Sequence, residues 1–436
     1  MAQTDGSQQS IFQFALLGIF VVLAVGGVAL LAMYKTKTSN VITYPITIWG
    51  PTFMGEDVPT MLRDLEEKDQ KFSKITYVAK NPFTLYGDIL EAIATGKAPD
   101  LVVLDQSSLL SLKNKLQPVP YTSYPLRTYR DTFVEGAEVF AQPEGIYAFP
   151  FAVDPIILYW NRDLFTNAGI AQVPQDWDTF VKLVPTLSKI VGGADLVQSA
   201  IAFGEYENVL HAKEIMSALL LQTGTTITQY DGQEYKSTLK GSSGELALTF
   251  YTDFSNPIKN VYSWNKTFDR SREAFAANKV AMYAGFASEL SILPQINPNL
   301  NFDITLFPQS ISHTNQVTYG KFYGIALLSS SPYKNRAYEV VQLLSSKLAT
   351  ADWQKATLLP STRRDSLVED PNSPYSHTMV RSAIIARSWL EPGRNDTDNL
   401  FRQLINDVVT GKGSPSTSLG RVHDEMDVLL SGYAKK

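Results

Sequence analysis

Cysteine is absent from all 436 residues. That excludes lipid anchoring through an N-terminal cysteine, and it suits an exported chain that avoids oxidation nearly as well as one kept in a reduced compartment. Histidine is scarce. His211, His313, His377 and His423 are scattered without an HExxH or other paired ligand spacing, so surface or hydrogen-bonding roles are expected and no metal or other cofactor is. A basic excess is also missing: the net charge is -5, which steers no polyanion and argues against a nucleic-acid partner. Ala94-Thr95-Gly96-Lys97 lacks the upstream glycine of a phosphate loop, and Gly241-Ser242-Ser243-Gly244 lacks the spacing of a nucleophile elbow. No internal repeat is visible.

What is present begins with Ile11 to Met33, a 23-residue stretch without charge whose one polar side chain is Gln13. At about 1.5 Å per residue a helix of that length reaches roughly 34 Å, enough to cross a hydrocarbon core of about 30 Å. A cleavable signal needs a basic n-region and a shorter apolar core; here the n-region carries only Asp5, and apolar sequence continues past Ala24-Val25-Gly26. A retained transmembrane anchor is therefore expected at 11–33, between a tail at 1–10 and a linker at 34–42. Orientation stays open, because Lys35 and Lys37 taken alone favour the cytoplasm for the C-terminal side of the span.

The remainder reads as an ordinary folded protein, with 44% hydrophobic and 19% charged residues over the whole chain. At about 390 residues it exceeds the usual size of one core, so two lobes are expected. Ile46 to Trp49 is a β-prone run ended by Gly50-Pro51; Val58, Met61, Leu62 and Leu65 then come at helical spacing, with Asp57 placed to cap them. Ile75 to Val78 gives a second strand, Leu85, Ile89, Ala92 and Ile93 a helix that Gly96 can stop, and Leu101 to Leu104 a strand buried on both faces. This βαβαβ order implies a mostly parallel sheet covered by helices. Farther on, Val209 to Leu220 carries a helical stripe, Ser242 and Glu245 match a capping box, and Val280 to Tyr283, Phe302 to Phe307 and Phe322 to Leu328 read as strands. Ala337, Val340, Val341 and Leu344 mark another helix, while Gln222 to Ser243 and Gly411 to Gly420 read as loops or a hairpin.

In open parallel sheets ligands bind beyond the carboxyl ends of the strands. Trp49, Asp105 with Gln106, and Tyr323 beside Phe322 lie in or next to such ends. Trp49 could equally be a core ring, and Asp105 an N-cap for a helix beginning near Ser107 or Ser108.

The order of Ile46-Thr47-Ile48-Trp49, then Ile93-Ala94-Thr95-Gly96-Lys97-Ala98-Pro99-Asp100-Leu101, then Tyr147 to Phe165 (YAFPFAVDPIILYWNRDLF) resembles extracellular solute-binding proteins of ABC importers, in the maltodextrin-binding branch. Asp176-Trp177-Asp178 resembles that family's domain-two helix start, Ala274 to Tyr283 its helix-to-strand unit, and Tyr323 to Gln342 its last crossover. The likeness covers residues 43 to about 365. It implies an α/β, two-lobed type II periplasmic-binding-protein fold with a hinge, preceded by the transmembrane helix. Lobe one would be 43–151 with 325–359, and lobe two 152–324 with 360–436. The hinge would lie at Phe149, Pro150, Ala152, Tyr323, Ile325 and Pro360, where the chain crosses between lobes that each carry a sheet. Carried over by position, Trp49, Asp105 and Gln106 would line the cleft from lobe one. Glu205, Tyr206, Phe286 and Glu289 would face them, with Tyr323 at the crossing and Trp389 and Arg394 as further candidates.

Such residues suit a sugar, since aromatic faces cover pyranose C–H faces and carboxylates or amides bind hydroxyls. The resemblance thus implies a monomer that captures a saccharide outside the cell for ABC transporter permease subunits, held to the membrane by its N-terminal helix. Two other readings stand beside it. A glycoside hydrolase would need two carboxylates about 5 to 9.5 Å apart, for which Asp105, Asp154, Glu205 and Glu289 are candidates. An anchored sensor or scaffold would bind a protein or peptide partner instead.

Overall fold

The computed structural model describes residues 14, 16–28, 44–54, 57–192, 195–311 and 316–433. The chain divides into two compact units, Met1–Tyr44 and Pro45–Lys436. In the first, residues 16–28 are helical. Residues 11–13, 15 and 29–33 of the expected anchor, with the tail and the linker, lie outside the described residues. Among the described residues no helix is long and apolar enough to cross a membrane.

The second unit is built on β1 (Ile46–Pro51), β2 (Ile75–Lys80), β3 (Leu101–Asp105), β4 (Phe149–Asn161), β5 (Asp195–Ile201), β6 (Val280–Phe286), β7 (Phe302–Leu306) and β8 (Thr318–Leu327). Runs of β-branched and aromatic residues account for these strands; β3 is buried along Leu101–Leu104, as two covered faces require. The main path runs β2-β1-β3-β8-β4-β6-β5 and ends on the short strand Lys189–Val191, with β7 also pairing to β4. β2, β1 and β3 are parallel; β8 is antiparallel to both β3 and β4.

The expectation of one sheet per lobe needs correction, because the path is continuous. Its cause is the length of β4 and β8. Residues 149–155 of β4 pair with β8, while 156–161 pair with β6 and β7. Two prolines mark that strand. Pro150 lies opposite Gly324 and Pro155 opposite Gly320, so the missing proline N–H groups fall where β4 bulges and where it changes partner. The bulge leaves Phe151 unpaired with β8, and its ring stacks on Trp353 at 4.1 Å. Val153 N donates to Pro360 O at 3.0 Å, and Ala152 bridges to Ser361, so all three expected crossing segments run side by side.

Local details differ from expectation in three places. Ser242 opens the helix Ser242–Asp253 after Gly241 and forms no capping box, because Gly241 holds φ at 137° and offers no side-chain acceptor. Asp57 precedes Val58–Lys68 but makes no side-chain cap. The supposed loop at Gly411 to Gly420 is half helix: Ser414 accepts from Thr417 N and Pro415 starts Pro415–Ser431. Gly96 and Gly224 do end their helices with positive φ, and Gln222 to Ser243 holds the hairpin Thr228–Tyr230 with Tyr235–Ser237.

Candidate functional site

β3 stops partway along β8, and the side chain of Gln106 continues the ladder in its place. Its Oε1 accepts from Phe322 N at 2.9 Å and its Nε2 donates to Tyr319 Oη at 2.9 Å. Fully buried, Gln106 satisfies the strand and presents no surface to a ligand. Asp105, one residue earlier, does not cap the following turn as an N-cap would. It accepts from Ser107 Oγ at 2.6 Å and Ser108 Oγ at 3.2 Å, and pairs with Arg394. Arg394 Nη2 donates to Ser107 Oγ as well, at 2.8 Å. Burial alone would raise Asp105, but the Arg394 guanidinium, Ser107 and Lys321 outweigh it and hold the carboxyl at about 2.

Across the junction, β6 ends at Phe286, and the turn after it carries Glu289. This carboxylate is buried but bound on all sides: His211 Nε2 pairs with it, Tyr283 Oη donates at 2.6 Å, and Arg272 lies 3.9 Å away. Its pKa is lowered, since His211, Tyr283 and Arg272 overcome the cost of burial. Asp154 sits on β4 beside the partner change and accepts from Ser288 N at 2.9 Å. Here burial wins over Ser288 and Lys321, and the carboxyl rises to about 6. Lys321, on β8, lies 4.0 Å from Glu214 and 4.2 Å over the Phe286 ring. Glu214, raised by burial but lowered more by Lys321, Lys213 and His211, falls to about 2.

Three expected aromatic platforms carry a cation on one face. Lys80 Nζ is 3.9 Å from the Trp49 ring centre, Arg402 5.0 Å from that of Tyr206, and Lys321 covers Phe286. Trp49 is half-buried while Ile46 and Ile48 of the same strand are buried, so it is not an enclosed core ring. Tyr323 is buried with Phe53 against its ring at 5.8 Å. Trp389 is packed away, stacked on Phe401 with its Nε1 donating to Ser217 Oγ at 3.1 Å. Its edge lines a separate cavity of about 280 Å³ with Glu135, Glu138 and Arg387. Glu205 is buried, with Lys266 Nζ 3.6 Å from its Oε2, and burial raises its pKa.

The structure thus gathers Asp105, Arg394, Tyr323, Phe286 and Glu289 about the β4/β8 crossing; Gln106 lies there too, but its amide is taken up by β8, and Trp389 is packed away in a core stack. Sequence reading missed Lys213, Glu214 and Lys321. Lys321 alternates with Tyr319 and Tyr323 along β8, a period-two signal that could have placed it on their face. Lys213 gives no such signal, since its partners Glu391 and Asp398 are remote in sequence. His377 and His423 pair with Glu369 and Asp427, while His313 lies outside the described residues. Among the described residues no group of three or more His, Cys, Asp or Glu is placed to hold a metal ion.

A mixed α/β sheet whose two halves share long strands is the architecture of two-lobed binding proteins, and comparison bears this out. The cyclic alpha-maltosyl-1,6-maltose binding protein from Arthrobacter globiformis superposes with a TM-score of 0.73 at 13% identity, over 89% of this chain and 99% of that one. Residues 60–374 match the family of bacterial extracellular solute-binding proteins, and the chain belongs to it. A putative binding protein of Brucella abortus is 22% identical over 78% of this chain and 81% of its own length. The diacetylchitobiose binding protein DasA of Streptomyces coelicolor is 22% identical over 65% and 66%.

Proposed function

We propose that this protein captures a carbohydrate between two lobes outside the cell and delivers it to an ABC importer, without chemically altering it. The observation that carries this reading is the meeting of Asp105 and Ser107, at the end of β3, with Arg394 beside the three crossing segments. Hydroxyl-rich ligands suit such a meeting of a carboxylate, a hydroxyl and a guanidinium, with the half-buried ring of Trp49 as a further candidate. The saccharides named for the Streptomyces and Arthrobacter proteins support the same class. Lobe one would comprise 43–151 with 325–359 and lobe two the rest of the body. Phe149, Pro150, Ala152, Tyr323, Ile325 and Pro360 would flex between them, and residues 11–33 would anchor the body outside the membrane as a monomer.

Native mass spectrometry after mild purification tests the ligand class, followed by calorimetry with diacetylchitobiose and maltotetraose. A retained or titrated saccharide, together with a smaller radius of gyration on binding, is expected. A retained peptide with no saccharide bound would favour the sensor or scaffold. One observation speaks for the hydrolase: burial raises Asp154 to about 6, toward the range in which a carboxyl can serve as a general acid. Oligosaccharides recovered intact after long incubation would dismiss it, and shortening that Asp154→Asn abolishes would establish it.

A further inference from the structure

Lys213 is almost wholly enclosed, yet it belongs to no surface a ligand could reach. Its Nζ contacts Glu391 Oε2 at 2.7 Å and Asp398 Oδ1 at 2.7 Å, with Thr397 Oγ1 at 3.4 Å. These carboxylates flank Arg394 in sequence: Asp398 comes four residues after it, one turn along the helix Arg394–Val409, and Glu391 three residues before it, ahead of that helix. Thr397 Oγ1 also donates to Glu391 Oε2 at 2.7 Å, so that oxygen is held by Lys213 and Thr397 while Glu391 acts on Arg394 through space. Arg394 instead reaches Asp105 and Ser107 on the other side of the junction.

We infer that Lys213 is a positioning residue: by occupying Glu391 and Asp398 it withholds them from Arg394 and leaves that guanidinium free to bridge the lobes. A flexible arginine goes to the nearest unpaired carboxylate. Without the ammonium, two acids on the same side of the cleft, Asp398 one helical turn away and Glu391 just ahead of the helix, outcompete Asp105, which lies across the cleft and must be met by a lobe that can swing away. The bridge then depends on a lysine that touches neither of its ends. This inference rests on the two-lobe reading above, but its test uses no ligand.

The native chain has no cysteine, so spin labels can be placed cleanly by Phe83→Cys and Ile258→Cys, 92% and 87% exposed on the two lobes. Pulsed electron paramagnetic resonance on the unliganded full chain reads their separation. Arg394→Ala is expected to shift the distance distribution to longer values. Lys213→Met shifts it equally, Lys213→Met/Arg394→Ala shifts it no further, and Lys213→Arg keeps the native distance. Removing both carboxylate charges as well, with Lys213→Met/Glu391→Gln/Asp398→Asn, returns Arg394 to Asp105 and the native distance. Should Lys213→Met not fold, Lys213→Met/Glu391→Gln carries the test: it unpairs only the more accessible Asp398 and lengthens the distance where the triple variant does not. The inference is overturned if Arg394→Ala leaves the separation unchanged. A native distance in the folded Lys213→Met protein, or a double variant that opens beyond Arg394→Ala, also overturns it. Failure of the wild type to bind any saccharide would sink the transport reading and leave these distances as they are.

Discussion

Asp154 offers the sharpest test of the electrostatics at the crossing. An ordinary aspartate titrates at 3.8, whereas burial lifts Asp154 to about 6 against the pull of Ser288 and Lys321. The folded protein therefore holds a proton that the unfolded chain has already released between those values. Stability falls as pH rises through this window, because the native state binds more protons there. The loss amounts to about 3 kcal/mol, complete above pH ~6 and absent below pH ~4. Asp154→Asn keeps an acceptor for Ser288 N–H and removes the charge that must be buried at neutral pH. Lys321 retains Asp105 and Glu214 as neighbours, so the substitution does not strand it. Denaturant midpoints of wild type and variant should coincide near pH 4. At pH 8 the variant should be the more stable, by up to about 3 kcal/mol. A variant less stable than wild type at pH 8 would refute the reasoning, since Asp154 would then be a paired, net stabilising carboxylate.

Trp49→Ala should weaken saccharide affinity about tenfold while leaving the unliganded melting temperature nearly unchanged, because the ring is half-buried; unfolding would show it to be structural. Gly136→Ala should destabilise by about 1 to 3 kcal/mol in a melting series, because its methyl would lie 2.3 Å from both Ala386 O and Phe322 Cζ. Introducing Ser416→Cys at an exposed position should allow an impermeant maleimide to label intact cells, and labelling only after lysis would reverse the orientation.

The first strands of the sheet were legible because Ile46 to Trp49 and Leu101 to Leu104 satisfy local propensity and burial at once. Thirteen residues of β4 were not read as a strand, since Pro150 and Pro155 break the pattern that a central strand normally keeps. The site was read where strand ends expose chemistry, as at Asp105. It was misread where residue type suggested a role that packing had already taken: Trp389 fills a core stack, and Gln106 mends a ladder. Glu391 and Lys213 stand 178 residues apart, a separation that no local period can bridge.

Because β4 serves both halves of the sheet, its length is fixed by more than its own hydrogen bonds. A single residue inserted between Ala152 and Ile156 would turn every later side chain of the strand to the opposite face. Tyr159, buried against Tyr283 and Phe275, would exchange places with Leu158 or Trp160. The same slip would leave the partners of Phe149 untouched. Insertions can therefore accumulate in the loops of either half, but the crossing works as a shared ruler whose residue count neither half can change alone.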